Sequence, residues 1–164
     1  IKQCLVGSEM CIRDSIMIAE FGHFALILAL MVAVVQAIVP LYGAQKGVYA
    51  LMATAKPAAL LQFALILAAF LALMHGFVTS DFSLAVVAGN SHSAQPMIYK
   101  ITGVWGNHEG SMLLWVLILA LFGAMVAATG KNLPRGLFAR VLSIQSMIGI
   151  GFLLFIILLS LIHI

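Results

Sequence analysis

The stretch Trp105-Gly106-Asn107-His108-Glu109-Gly110-Ser111-Met112-Leu113-Leu114-Trp115 places a polar cluster at the mouth of a long apolar run. That run is long enough to cross a bilayer, and similar runs make up most of the chain. The stretch therefore predicts the fold class, which is a set of membrane-spanning helices. A polar cluster at the edge of a bilayer needs a reason, so it is also the first place to look for function.

The composition is that of an integral membrane protein. Of the 164 residues, 64% are hydrophobic and only 8% are charged, and the mean hydropathy is +1.19. A soluble domain carries about 25% charged residues, so this chain cannot cover a water-facing surface. Its length allows about four spanning helices of roughly 20 residues with their connections. The net charge of +3 comes from basic residues dispersed between apolar runs, which does not indicate nucleic-acid binding.

Four apolar runs predict an all-α, polytopic membrane protein with about four transmembrane helices. The runs cover 22–41, 57–78, about 110–128 and 141–158. Only Gln36 interrupts the first run, which is predicted to end at Pro40 because proline cannot continue the hydrogen-bond ladder of a helix. Pro57 stands at the predicted start of the second helix, where its missing N–H costs nothing.

Both ends of the chain have the character of translated sequencing adapter. The first fifteen residues include Met-Cys-Ile-Arg-Asp at 10–14, and the last six, 159–164, read Leu-Ser-Leu-Ile-His-Ile. Codons for the second string, read as the reverse complement in another frame, encode the first string, and this inverted pair resembles a transposon end used in library preparation. We therefore predict that 1–15 and 159–164 are artefacts, and that 16–158 form the N-terminal transmembrane region of a larger protein. A natural N-terminal extension is the alternative for 1–15. Cys4 and Cys11 consequently support no disulfide or metal argument.

The charges of the connections predict the orientation in the membrane. Two connections contain basic residues and no acid: Lys46 and Lys56 in the first, and Lys131, Arg135 and Arg140 in the second. The positive-inside rule places these basic loops in the cytoplasm. The N-terminus and the long connection at 79–109 are then periplasmic.

The long connection is the one sizeable part expected outside the bilayer. Residues 82–87 have the composition of a strand or an interfacial helix, and residues 89–93 that of a turn. Residues 95–100 are predicted to be extended near Pro96. Tyr99 and Trp105 suit the headgroup level, where aromatic rings with a polar edge concentrate.

The pair His108-Glu109 does not form a zinc-peptidase motif. That motif needs a second histidine four residues after the first, and Met112 stands there. A hydrolase built on Ser111 and His108 lacks an identifiable acid to orient the imidazole. Helix capping explains the cluster without a ligand, because Ser111 can cap the third span and Glu109 favours the positive end of its dipole. Gly110 and Gly106 permit tight backbone geometry beside the tryptophan.

The histidines are the remaining candidates for chemistry. His108 at the interface is a usable haem or metal ligand, or a proton-carrying group, although a single histidine is a weak indication. His75, near the outer end of the second span, is a functional candidate by its depth but is close enough to the interface to be solvated. His23 at the start of the first span has the same two interpretations. His92 lies in a polar turn and is expected to be exposed.

Within the spans, the polar and small residues predict helix packing. Gln36 is expected to make an interhelical hydrogen bond. Gly149 and Gly151 on the fourth span are expected to allow close helix approach.

The chain resembles the bacterial cytochrome c maturation haem lyases of the CcmF/NrfE type over residues 17–158. The family motif is carried by Trp105, Gly106, His108, Glu109, Gly110 and Ser111, followed by Leu-Leu-Trp at 113–115. Further matches are Asp-Phe-Ser at 81–83, Asn-Ser at 90–91, Pro96, Tyr99, Ala-Arg-Val-Leu at 139–142 and Gly-Phe-Leu-Leu-Phe-Ile at 151–156. The start, Glu20-x-Gly22-x-Phe24, also resembles the beginning of the family's sequences.

The resemblance implies a role in cytochrome c-type biogenesis at the bacterial inner membrane. Such proteins receive haem from a periplasmic haem chaperone and help to attach it to apocytochrome c, together with other cytochrome c maturation membrane proteins. Their tryptophan-rich haem-handling segment, flanking periplasmic histidines and transmembrane haem ligands lie beyond Leu158. His108 matches the family motif, but that motif is not the known ligand set, so His108 stays a candidate for haem binding. This chain alone is not expected to be catalytic.

Two functions from other classes remain open. A transporter or proton-conducting subunit would use His75 and Gln36, but the spans contain no acid with which to move protons. A structural membrane anchor without chemistry of its own is the second alternative.

Overall fold

The computed structural model describes the backbone of residues 8–79 and 96–162, and the side chains in those ranges other than 8–19, 109, 131 and 159–162. The elements are α1 (Ser8–Lys46), α2 (Tyr49–Ala53), α3 (Ala55–Thr79), α4 (Met97–Gly103), α5 (His108–Thr129), a 3₁₀ turn (Gly130–Asn132) and α6 (Arg135–Ile162). The predicted strand or helix at 82–87, the turn at 89–93 and His92 lie outside the described residues.

The predicted all-α membrane fold is confirmed. Within the described ranges, four helical segments are long and apolar enough to cross a membrane: Glu20–Lys46, Tyr49–Thr79, Gly110–Thr129 and Arg135–Leu158. Each contains one of the predicted runs. They share one hydrophobic core, to which the spans contribute Ala29, Ile66, Val116 and Leu153 respectively.

The packed face of α1 consists of small residues at helical spacing. Ala25, Ala29, Ala33 and Ala37 are all buried there. A Cβ added at Gly22 would lie 3.2 Å from the Cβ of Ala72 on α3, so the two backbones run close together. Small residues allow this approach, and in lipid the close packing itself drives association because the tails are as apolar as the side chains.

The predicted end of the first helix at Pro40 is wrong, because α1 continues to Lys46. Proline has no N–H to donate to the carbonyl four residues earlier, which is that of Gln36. The Ser143 hydroxyl of α6 lies 3.2 Å from that carbonyl and 2.8 Å from the carbonyl of Ala139 in its own helix, so its single proton is shared between two acceptors. This hydroxyl is the donor from α6 that reaches the Gln36 carbonyl where α1 passes through its buried proline.

A polar seam joins α1 to α6 on either side of this contact. The predicted interhelical hydrogen bond of Gln36 is confirmed, since its Nε2 donates to the carbonyl of Leu142 at 3.1 Å. One turn away, the Ser146 hydroxyl donates to the carbonyl of Ala33 at 2.7 Å. The side chains of Gln36, Ser143 and Ser146 are fully buried, so these bonds form away from water and lipid headgroups.

In two places a glycine on one helix leaves room for a glutamine side chain of another helix. A Cβ on Gly149 would lie 3.3 Å from Nε2 of Gln62, so this glycine leaves room for a side chain of α3, while the predicted close approach of the helices themselves stays a prediction. Gly151 is exposed, and among the described residues no atom lies within 4 Å of a Cβ added there. Gln145 of α6 lies against Gly123 of α5 and donates to the Leu119 carbonyl.

The expectation of extended chain after Pro96 is wrong for Met97–Gly103, which forms α4. Pro96 itself is extended, with ψ of 149°, and stands as the residue before the helix. Its carbonyl accepts from the backbone of Tyr99 at 3.0 Å, so the proline starts the helix and does not prolong a strand. Pro57 conforms to prediction, since it lies in the first turn of α3.

The Ser143 contact predicts an energetic coupling with Pro40. In the wild-type background, Ser143→Ala should lower the free energy of unfolding by about 0.6 to 1.7 kcal/mol, the usual range for interhelical hydrogen bonds. In a Pro40→Ala background the loss should shrink, because the alanine introduced there supplies the missing N–H. Reversible unfolding in mixed micelles measures both values.

Ser146→Ala is the matched control, because the carbonyl of Ala33 keeps its own helical N–H partner. Its effect should be the same in both backgrounds. Equal losses for Ser143→Ala with and without Pro40 would contradict the account.

Candidate functional site

The polar cluster forms the junction between α4 and α5. Three successive backbone bonds of the i to i+3 type tighten the chain after α4: Val104 to Ile101, Trp105 to Thr102 and Gly106 to Gly103, at 3.2–3.3 Å. Such bonds satisfy the last carbonyls of a helix where it ends. The chain then turns and α5 begins at His108.

Asn107 caps α5, so the expectation that Ser111 is the cap is wrong. Asn107 is extended, with φ of −116° and ψ of 166°, and its Oδ1 accepts from the backbone N–H of Gly110 at 2.6 Å. This is the usual N-cap arrangement, in which a side-chain oxygen takes one of the unpaired donors of the first turn. Ser111 already lies inside that turn.

The Ser111 hydroxyl instead stabilises the turn by contacting backbone carbonyls that precede the helix. It donates to the carbonyl of Trp105 at 2.9 Å and also contacts the carbonyl of Asn107. The Asn107 carbonyl accepts the first helical bond as well, from the Ser111 backbone at 3.0 Å. Ser111 therefore joins the segment before the helix to the helix itself.

Gly110 has no room for a side chain. A Cβ there would coincide with the carbonyl oxygen of Val104 and lie 2.8 Å from its carbonyl carbon. Val104 is fully buried in the core with Phe77 and Leu113, so its backbone cannot retreat. By contrast, the nearest atoms to a Cβ on Gly106 are 3.6 Å away, which is ordinary contact.

His108 is displayed at this end of the bundle. It is the first residue of α5, and its side chain is exposed. Trp105 is 41% exposed and Trp115, two turns further along α5, is 63% exposed. An exposed imidazole can donate, accept or ligate, and exposed indoles can stack on a flat apolar ligand. The side chain of Glu109 lies outside the described residues, so the expected dipole interaction stays a prediction.

Two other described histidines, His75 and His23, lie on different helices from His108. His75 is exposed near the end of α3, and His23 is half-buried near the start of the first span. Among the described residues, no group of three or more histidine, cysteine and acidic side chains could hold a metal ion. His108 as a cofactor-binding residue remains a prediction.

Sequence reasoning missed two residues of the junction. Asn107 is among the best N-cap residue types and directly precedes the helix, so residue type alone could have identified it. Val104 gives no such indication, because its role is to hold a carbonyl against Gly110, which depends on burial against α3.

The comparisons with known proteins agree on one relationship. The family model described as Cytochrome C assembly protein matches residues 105–163, so the match begins at Trp105. The cytochrome c-type biogenesis protein ccl1 of Rhodobacter capsulatus is 66% identical over 140 residues, which is 85% of this chain and 21% of the relative. CcmF of Escherichia coli is 41% identical over 140 residues, again 85% of this chain and 22% of the relative.

A solved structure shares the fold. The structure titled Cytochrome c Heme Lyase CcmF aligns with a TM-score of 0.78 at 29% sequence identity, covering 83% of this chain and 23% of that chain. The chain thus spans about a fifth of the length of the curated relatives it matches.

The Gly110 contact predicts a large difference between two glycines of the junction. Gly110→Ala should lower the free energy of unfolding by about 3 kcal/mol, the upper end of the usual range for overpacking, because a rigid backbone carbonyl occupies the site. Gly106→Ala should change it by less than about 0.5 kcal/mol. Equilibrium unfolding of both variants in the same micelles gives the comparison, and equal losses would show that the Val104 contact is absent.

Proposed function

Because the chain belongs to the CcmF, CycK and NrfE family of cytochrome c-type biogenesis proteins, we propose that residues 16–158 form the N-terminal transmembrane region of a haem lyase subunit. The observation that carries the proposal is the 66% identity to the Rhodobacter capsulatus protein over 85% of this chain. Residues 1–15 and 159–164 are proposed to be translated adapter. This region alone does not attach haem to apocytochrome c. It acts as part of the longer protein.

In the proposed protein, haem is delivered and attached to apocytochrome c. The support is that the relatives are cytochrome c-type biogenesis proteins and that the structural match is a cytochrome c heme lyase. The proposed partners are a haem chaperone, apocytochrome c and other membrane proteins of cytochrome c maturation. Haem is the cofactor of the whole protein, and no haem ligand is assigned within the spans of this region.

The junction at 103–111 is proposed to be this region's contribution to that work. The Asn107 cap, the Ser111 bonds and the Gly110 contact fix the start of α5, which leaves the His108 imidazole exposed in a defined position. An exposed imidazole at a helix start that is fixed in this way suits contact with the edge of haem or with the apocytochrome chain, and the exposed Trp105 and Trp115 add flat apolar surfaces in the same part of the chain.

The proposed location is the bacterial inner membrane. The N-terminus and the 79–109 connection face the periplasm, where His108 can meet haem or apocytochrome. The connections holding Lys46, Lys56, Arg135 and Arg140 face the cytoplasm, in keeping with the positive-inside rule.

A chimera tests the proposal. In a Rhodobacter strain that depends on its ccl1 protein, the matching segment of that protein is replaced by residues 16–158. We expect the chimera to restore covalent cytochrome c, measured by haem staining of membrane proteins after denaturing electrophoresis. Residues 16–158 expressed alone should not restore it. A chimera that accumulates and inserts normally but gives no cytochrome c would contradict the proposal.

His108→Ala in the chimera tests the role of the junction. If the imidazole contacts haem or apocytochrome, the yield of cytochrome c should fall while the amount of membrane protein stays normal. His75→Ala is the matched control, because it removes an exposed histidine near the end of α3 that is not part of the family motif. A wild-type yield from His108→Ala would assign the motif to capping and packing alone.

Reporter fusions test the orientation. A periplasmic reporter such as alkaline phosphatase should be active when fused within 96–107, and inactive when fused near Asn132. A cytoplasmic reporter should give the reverse pattern. Inverted activities would overturn the proposed topology without affecting the four-span fold.

A further inference from the structure

The end of the bundle away from His108 carries cations and no acid. All Asp and Glu residues lie elsewhere in sequence, at positions 9, 14, 20, 81 and 109, so none occurs between 21 and 80 or after 109. The side chains of Lys46, Lys56, Arg135 and Arg140 are all exposed. The two connections that hold these cations therefore contain no acid with which they could pair. We call these four residues the basic rim.

The two connections that supply the basic rim meet in space. The guanidinium of Arg135, at the start of α6, lies 4.4 Å from the ring centroid of Tyr49 in α2. Below them, Ala55, Ala59, Ala127 and Leu142 form a buried cluster that joins α3, α5 and α6. The Arg135–Tyr49 contact therefore joins the two connections, and the packing of the helices beneath holds them together.

The rim lies at the depth of lipid headgroups. Lys46 is the last residue of the first span and Arg135 is the first residue of the fourth. Exposed apolar side chains surround the cations, among them Tyr42, Val48 and Leu137. A mixture of exposed apolar groups and cations at the ends of spans suits a membrane interface more than an aqueous acidic protein segment.

We propose that the basic rim binds the phosphates of anionic phospholipids. The planar guanidinium of Arg135 offers donors in a fork that matches two phosphate oxygens, while its face stays on the Tyr49 ring. Arg140, Lys46 and Lys56 add charge around it. Membrane orientation needs only the number of charges, whereas this site depends on the Arg135–Tyr49 geometry.

Lipid binding to the purified chain in neutral mixed micelles tests the proposal. Fluorescent phosphatidylglycerol and phosphatidylcholine are titrated separately, and Kd is measured at low and high salt. We expect phosphatidylglycerol to bind more tightly and to weaken with salt. Arg140→Gln should raise its Kd about fivefold, the effect of one cation at an anionic surface, and Arg135→Gln should raise it further because the planar fork is lost as well.

Two matched variants separate geometry from charge. Arg135→Lys keeps the charge but loses the planar fork, so it should weaken binding less than Arg135→Gln but measurably. Lys100→Gln removes a cation at the other end and should leave the Kd unchanged. If Arg135→Gln does not fold, Arg140→Gln and Lys56→Gln serve as the test, each with the same expected loss.

Equal binding of the two lipids, or unchanged phosphatidylglycerol binding in the rim variants, would overturn the proposal. In that case the cations would act only in orientation. If the rim variants kept full phosphatidylglycerol affinity but lost a defined acidic peptide partner, the rim would be a protein contact instead, which also overturns the lipid assignment.

Discussion

The contact between the Ser143 hydroxyl and the carbonyl of Gln36 lies where α1 passes through Pro40 and packs against α6. In hydrocarbon, water cannot satisfy a backbone group, so an acceptor freed by proline must find a donor in the protein. The Ser143 hydroxyl, which also contacts the Ala139 carbonyl of its own helix, is the donor within reach, and α1 continues as one helix to Lys46. Gln36 and Ser146 add bonds on either side, which fixes the register of α1 against α6.

The same constraint shapes the junction before α5. Asn107 takes an unpaired N–H of the first helical turn, and Ser111 donates to the Trp105 carbonyl. Gly110 lets the buried backbone of Val104 approach the helix. Most residues of the family motif therefore serve to end one helix and to start another at the membrane surface. His108 is the exposed residue of the motif whose side chain can bind a ligand or carry a proton. Its position depends on the other residues of the motif.

The four spans could be predicted from hydrophobic runs alone, because their length and composition leave no other structure in a bilayer. The path of α1 through Pro40 could not, since the compensating hydroxyl of Ser143 belongs to a helix distant in sequence. Local sequence rules could have predicted capping by Asn107. Ser111 is also a residue type that caps helices, and only the backbone geometry distinguishes the two. The need for glycine at position 110 rests on the burial of Val104 against Phe77, which no local pattern shows.

Isotope-edited infrared spectroscopy measures most directly whether the Ser143 hydroxyl donates to the Gln36 carbonyl, which lacks the N–H of residue 40. A ¹³C=¹⁸O label at the Gln36 carbonyl isolates its amide band from the rest of the protein. We expect that band to shift to higher frequency in Ser143→Ala, because the carbonyl loses its donor, and to stay unchanged in Ser146→Ala. An unchanged Gln36 band in Ser143→Ala would show that the hydroxyl donates to the Ala139 carbonyl instead.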